Sequence, residues 1–306
     1  MMEGMDLTGS PKRHRRERRV RRLLIAMAAV SLAVSIAIIT TLLRESATFV
    51  SGLDFGDGNP LWTLGWFPRR GLFDLLTIVG ATVLITLLAM VVAAPLGLGT
   101  ATYLSEFARP RARSVLKPII EILAGIPSVV IGFFALVWIS PNIVQRFTDA
   151  SVFSMAAAGI GVGVLTIPII ASVAEDAMRA VPKHLREAAF GLGARRSTTV
   201  RRVVYPAAAS GIVAAMILGI SRAIGETMVV FMAAGAVGGS LRSFNVLGPG
   251  QTMTAAIASL ATGSDQVVGE GTAFQSLFAV ALLLFLMTLV LNIASDRLVR
   301  RVQERY

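Results

Sequence analysis

Arg222 and Glu226 stand four residues apart inside a long apolar run, in the stretch Ser221-Arg222-Ala223-Ile224-Gly225-Glu226-Thr227. A guanidinium presents a planar fork of N–H donors that matches the oxygens of an oxyanion. A carboxylate four residues further on shares its helix face and balances its charge. The pair therefore predicts a place where an anion in transit is met. The plainer alternative is an ion pair that only fixes packing. Two hydroxyls join the candidates: Thr227, next to the carboxylate, and Ser128, after Ile126-Pro127. Pro127 and Ser128 could break a helix and offer hydroxyl or backbone donors to the same anion, or could simply kink it.

Such a pair needs a scaffold that keeps charge away from lipid. The chain has 306 residues, of which 55% are hydrophobic, and a mean hydropathy of +0.72. That composition belongs to an integral membrane protein. Leu23 to Leu43 is a run of 21 uncharged residues, long enough to cross a bilayer core and too long for a cleaved secretory signal. Five further apolar segments lie near 76–105, 117–140, 151–180, 207–236 and 272–296. The expected fold class is all-α, with six transmembrane helices. Arg222 lies 15 residues past Ala207, about 22 Å along a helix. A charge at that depth costs roughly 2.5–3.5 kcal/mol on insertion scales, so Arg222 must face protein or a water-filled cavity.

Charge patterning orients the spans. The tail and segments 106–118, 179–206 and 297–306 carry 23 of the 29 Lys and Arg residues, whereas 44–75, 141–150 and 237–271 carry five. The positive-inside rule then puts both termini in the cytoplasm. The expected organisation is a basic cytoplasmic tail over 1–22, a first anchor over 23–43, an extracytoplasmic loop over 44–75, a membrane body over 76–296 and a cytoplasmic tail over 297–306. The basic tail Lys12–Arg22 could also bind anionic lipid. Pro95, Pro127 and Pro168 fall within spans, and Gly159 and Gly163 fit the small-xxx-small spacing of close helix packing. Met253–Leu260 is apolar enough for a short re-entrant or interfacial helix.

Several chemistries are excluded. There are no cysteines, hence no thiolate nucleophile, disulfide or Cys-based metal site. His14 and His184 are too few and too far apart to suggest zinc. Lys12, Lys117 and Lys183 follow Pro11, Leu116 and Pro182, so no Gly-Lys-Ser/Thr phosphate loop exists for ATP hydrolysis. The net charge of +11 lies beside apolar segments, without the aromatic interleaving that stacks bases, so no nucleic acid is expected.

The stretch 187–206 reads Glu187-Ala188-Ala189, three residues, Gly193, nine residues, then Val203-Val204-Tyr205-Pro206. It resembles the coupling loop of bacterial ABC importer permeases, with Val203 and Tyr205 at positions usually held by Ile and Leu. A narrower resemblance rests on Leu123-Ala124-Gly125-Ile126-Pro127-Ser128-Val129-Val130, Tyr103-Leu104-Ser105-Glu106, Ser221 to Met228 and Met253 to Ala258. Over about 72–302 the chain is similar to permeases of the bacterial phosphate-specific ABC importers, the C-type more than the A-type.

That resemblance implies type I importer architecture, with 76–296 as the permease domain and 182–206 as its coupling loop. It implies a non-catalytic subunit that binds no cofactor, with ATP and magnesium held by a separate ATPase. The expected partners are a second permease subunit, two ATPase subunits and an extracytoplasmic phosphate-binding protein. Glu187, Ala188, Ala189 and Gly193 would contact the ATPase, and Arg222 and Glu226 are implicated in transport. The residues agree on cargo, because phosphate near neutral pH keeps a proton to donate to Glu226, and sulfate does not. The alternatives are an importer of sulfate or molybdate, and a self-contained channel or carrier.

Overall fold

The computed structural model describes residues 11–53, 61, 65–235, 245–262 and 271–303. The start of the basic tail, parts of the 44–75 and 237–271 loops and the last three residues lie outside the described residues. Helices dominate: α1 (Pro11–Ser51), α2 (Leu75–Phe107), α3 (Pro110–Ala124), α4 (Ser128–Phe147), α5 (Met155–Ala180), α6 (Lys183–Gly191), α7 (Arg196–Ala207), α8 (Ala209–Ile224), α9 (Met228–Ala233), α10 (Met253–Ala261) and α11 (Thr272–Gln303). The two short strands β1 (Trp66–Phe67) and β2 (Leu72–Phe73) pair antiparallel, Trp66 opposite Phe73. Among the described residues, five helices are long and apolar enough to cross a membrane, six if the bent pair α7–α8 counts as one span.

α5 is the central helix, and α2 packs along it. Glycine makes that approach possible. A Cβ on Gly159 would lie 2.6 Å from the Leu88 Cβ, and one on Gly163 would lie 2.9 Å from the Val92 Cβ. The small-xxx-small spacing is thus used for tight packing against α2. Pro95 and Pro168 stay inside continuous helices. α1 lies at the periphery against α11, with most of its apolar side chains other than Phe49 exposed, as lipid contact requires.

Two expected spans take a different form. The segment 117–140 is not one helix: α3 ends at Ala124, Gly125 caps it, and α4 starts after Pro127. Proline disfavours the α conformation in the residue before it and lacks the N–H that a helix start leaves unused, so it ends one helix and opens the next. None of the residues of α3 is buried, and α4 continues to Phe147 through a stretch expected to be loop. The segment 207–236 breaks twice. α7 and α8 meet at 75° around Ala208, just after Pro206, and the helix stops again at Gly225 before α9.

Apolar clusters stack along the bundle. One end joins Phe49, Trp66, Phe73, Ile78, Met253 and Leu277. The middle joins Ile85, Ile131, Ala135, Val162, Ala223 and Val229. The other end joins Ala101, Met178, Val181, Val204 and Ala215. α2 starts at the first and ends at the third.

Candidate functional site

Arg222 sits in the last turn of α8, and Glu226 follows the Gly225 cap. Because Gly225 keeps φ −82 and ψ −2, the chain stays close enough to helical for the four-residue pair to meet. Arg222 Nη1 lies 2.7 Å from Glu226 Oε2. The two ends differ in burial: the Glu226 side chain is 2% exposed and that of Arg222 is 40% exposed. Glu226 Oε1 also accepts the Val229 N–H at 3.3 Å, at the start of α9. The Glu226 carbonyl accepts the Thr254 hydroxyl at 2.8 Å, which ties α10 to the break. The carboxylate is therefore held by two partners and its backbone by a third, and it holds a guanidinium that stays 40% exposed.

Thr227 is at the cap of α9, and its hydroxyl reaches only the Gly225 carbonyl, at 3.5 Å. Ser128 opens α4, and its hydroxyl makes no hydrogen bond to Arg222 or Glu226. The two helix starts are nevertheless linked, since a Cβ on Gly132 of α4 would lie 3.0 Å from the Met228 carbonyl oxygen of α9. Arg222, Glu226 and Thr227 thus share one helix break, while Ser128 belongs to the helix packed beside it.

The stretch 187–206 is a helical hairpin rather than an open loop, formed by α6, a turn and α7. Gly193 supplies the turn with φ +78, a left-handed conformation that glycine takes without penalty. The Gly193 N–H is donated to the Phe190 carbonyl, and that of Ala194 to the Ala189 carbonyl. Ala189 faces inward, whereas Glu187 and Ala188 are exposed. Leu192 at the tip is 89% exposed, with Phe190 beside it in the same basic surface.

Two side-chain contacts outside the candidate site residues hold this hairpin to the spans. Arg186 donates to both Glu106 oxygens, Nη2 to Oε1 at 2.8 Å and Nε to Oε2 at 3.3 Å. It also donates to the carbonyls of Val181 and Met178, each at 2.7 Å. One side chain thereby joins α6 to the ends of α2 and α5. The Tyr205 and Thr102 hydroxyls, 2.8 Å apart, join α7 to α2. Nearby, Glu175 is fully buried and accepts from Arg113 at 2.6 Å and Lys117 at 2.8 Å. The hydrogen bond to Glu175 raises the Lys117 pKa above its ordinary value, against desolvation and with help from Asp176. A signal existed for Arg186: it directly precedes Glu187 and is a cation in a run otherwise read for its Glu-Ala-Ala pattern.

Residues 93–306 match the family model for the binding-protein-dependent transport system inner membrane component. The Bacillus subtilis protein named "Probable ABC transporter permease protein YqgH" is 36% identical over 226 residues, 72% of either chain. The phosphate transport system permease protein PstC 1 of Mycobacterium tuberculosis is 33% identical over 256 residues, covering 77% of this chain and 75% of that one. Among solved structures, a bacterial ABC transporter involved in import of the polysaccharide alginate superposes with a TM-score of 0.61. It is 14% identical, over 94% of this chain and 99% of that one. The MetNI methionine ABC transporter, in an inward-facing conformation, gives 0.52 at 22% identity, over 72% and 91% of the two chains. Those two carry the fold only. With its apolar spans, a helical hairpin on the Glu-Ala-Ala…Gly pattern and these matches, the chain belongs to the binding-protein-dependent transport system inner membrane components, the multi-pass plasma-membrane permeases of ABC transporters.

Proposed function

We propose that this chain is one of two permease subunits of an importer that moves inorganic phosphate. The observation that carries the cargo is the asymmetry of the central pair. A guanidinium 40% exposed offers donors to an anion, and a carboxylate 2% exposed stands next to it. A buried carboxylate repels a fully deprotonated anion and accepts a hydrogen bond from one that keeps a proton, which favours phosphate over sulfate or molybdate. Relatives named as phosphate transport permeases point the same way.

Both termini face the cytoplasm in this reading, because 23 of the 29 cations lie in the tails and in 106–118 and 179–206. The α6–α7 hairpin is then cytoplasmic and docks on one of two separate ATPase subunits, which hold ATP and magnesium. Glu187 and Ala188 face that partner from α6, and Gly193 shapes the turn. An extracytoplasmic binding protein delivers phosphate to the opposite face, and a second permease subunit completes the path.

Radiolabelled uptake tests the cargo. Deleting the chain should abolish phosphate uptake and leave sulfate uptake intact; the reverse pattern rejects the reading. Arg222→Gln should abolish phosphate uptake while the complex still purifies intact. Normal uptake by that variant returns the pair to a packing role.

A further inference from the structure

The β1–β2 hairpin is built on the apolar cluster at the start of α2. Trp66 is 1% exposed and Phe73 3% exposed, and their rings meet edge to face with centroids 6.0 Å apart. Between the strands, Pro68–Arg70 form a tight turn closed by Gly71 at φ +73. This base holds Arg69 and Arg70 outward, both exposed. The Arg70 guanidinium lies 5.7 Å from the centre of the Phe67 ring, which steadies it.

A cavity of about 330 Å³ separates this turn from α10, lined by Trp66, Phe67, Arg69, Arg70, Gln251 and Ser259 among others. Its volume is in the range of small-ligand pockets, roughly 300–1,000 Å³. Among the described residues, the lining contains two cations and no carboxylate. Neither arginine has an acidic partner among the described residues. Asp74, four residues beyond Arg70, accepts from the Leu76 N–H and the Thr77 hydroxyl and does not line the cavity.

Two further observations give this charge a purpose. Trp66 lines the cavity, and its Nε1 is buried with no hydrogen-bond partner among the described residues, a state that costs about 1–3 kcal/mol and that an oxyanion meeting the indole N–H would relieve. The arginines also oppose the topology signal, since 44–75, 141–150 and 237–271 carry only five of the 29 cations. α10 links the cavity to the central pair: Ser259 lines the cavity, and Thr254 holds the Glu226 carbonyl. Those residues are about 7–8 Å apart along the helix axis.

We propose that Arg69, Arg70 and Trp66 form a second site for a small tetrahedral oxyanion, at the end of the bundle opposite the α6–α7 hairpin. The site takes the cargo before Arg222 does, and in that respect rests on the reading of the chain as an oxyanion importer.

The test uses the assembled importer in lipid nanodiscs, without its delivering protein, and inorganic phosphate observed by phosphorus NMR line broadening. In an Arg222→Gln background phosphate should still bind. Adding Arg69→Gln and Arg70→Gln should weaken that binding about tenfold or more, and adding Trp66→Phe several-fold, because charge-assisted donors count for more than neutral ones. Absence of binding in the Arg222→Gln importer, or binding unchanged by the arginine double variant, overturns the site. So does loss of the delivering protein in co-sedimentation with phosphate binding intact, which makes the arginines a protein contact. The same titration with sulfate separates the two readings. A wild-type importer that takes up sulfate and not phosphate rejects the cargo, while the site stands if the double variant then weakens sulfate.

Discussion

Glu226 divides its carboxylate between the Arg222 guanidinium and the Val229 N–H. A glutamine can keep the second contact and cannot balance the first. Glu226→Gln should therefore leave α9 in place and reduce phosphate uptake by about ten- to hundredfold, the equivalent of one charged hydrogen bond. Uptake and complex yield measured together check it, and uptake within twofold of wild type would remove Glu226 from the path. The sequence spacing of four already paired these residues. What it left open was burial: a carboxylate 2% exposed beside a guanidinium 40% exposed depends on α4, α9 and α10 closing around one side only. Ser128 shows the converse, a residue whose motif was legible and whose hydroxyl lies on the neighbouring helix without touching the pair.

At the level of elements, the α6–α7 hairpin is fastened to α2 and α5 because Arg186 bonds to both. Arg186 is 17% exposed and Glu106 8% exposed, and removing one partner of a buried pair costs about 3–5 kcal/mol. Arg186→Ala should leave phosphate binding unchanged but loosen the hairpin from the spans. ATP hydrolysed per phosphate imported should then rise several-fold in proteoliposomes, and an unchanged ratio would make Arg186 a packing residue only. The Glu-Ala-Ala…Gly pattern was readable. The helical form of the segment was not, because a basic, polar stretch between apolar runs has the composition of a loop. Likewise 117–140 has the length and apolarity of one span. Gly125 and Pro127 split it into two helices, a break that length and apolarity alone do not reveal.

Across the whole molecule, the apolar clusters set an end-to-end order, with the Arg222–Glu226 pair at the middle and buried ions at the hairpin end. Glu175 gathers Arg113 and Lys117 from α3 onto α5, which matters because α3 has no buried residue of its own to hold it. The Lys117 pKa is raised, chiefly by its hydrogen bond to Glu175. Its stabilising contribution is complete below the ordinary lysine value of 10.5 and is lost as pH rises through the higher folded value. Thermal unfolding of the purified complex should therefore show a loss of stability above that pH. Lys117→Met should lessen the loss, and an identical alkaline profile for the variant would exclude the contact. The sequence by itself determined the membrane class, the near-alternating charge of the loops, the family pattern and the identity of the central charges, because hydropathy and charge act locally along a chain. Only the tertiary structure decided which donors stay free, that Arg186 and Glu175 are the fastenings of the hairpin end, and that Arg69 and Arg70 share a cavity with a buried indole. Those properties arise from segments distant in sequence, and no local pattern encodes which of them come into contact.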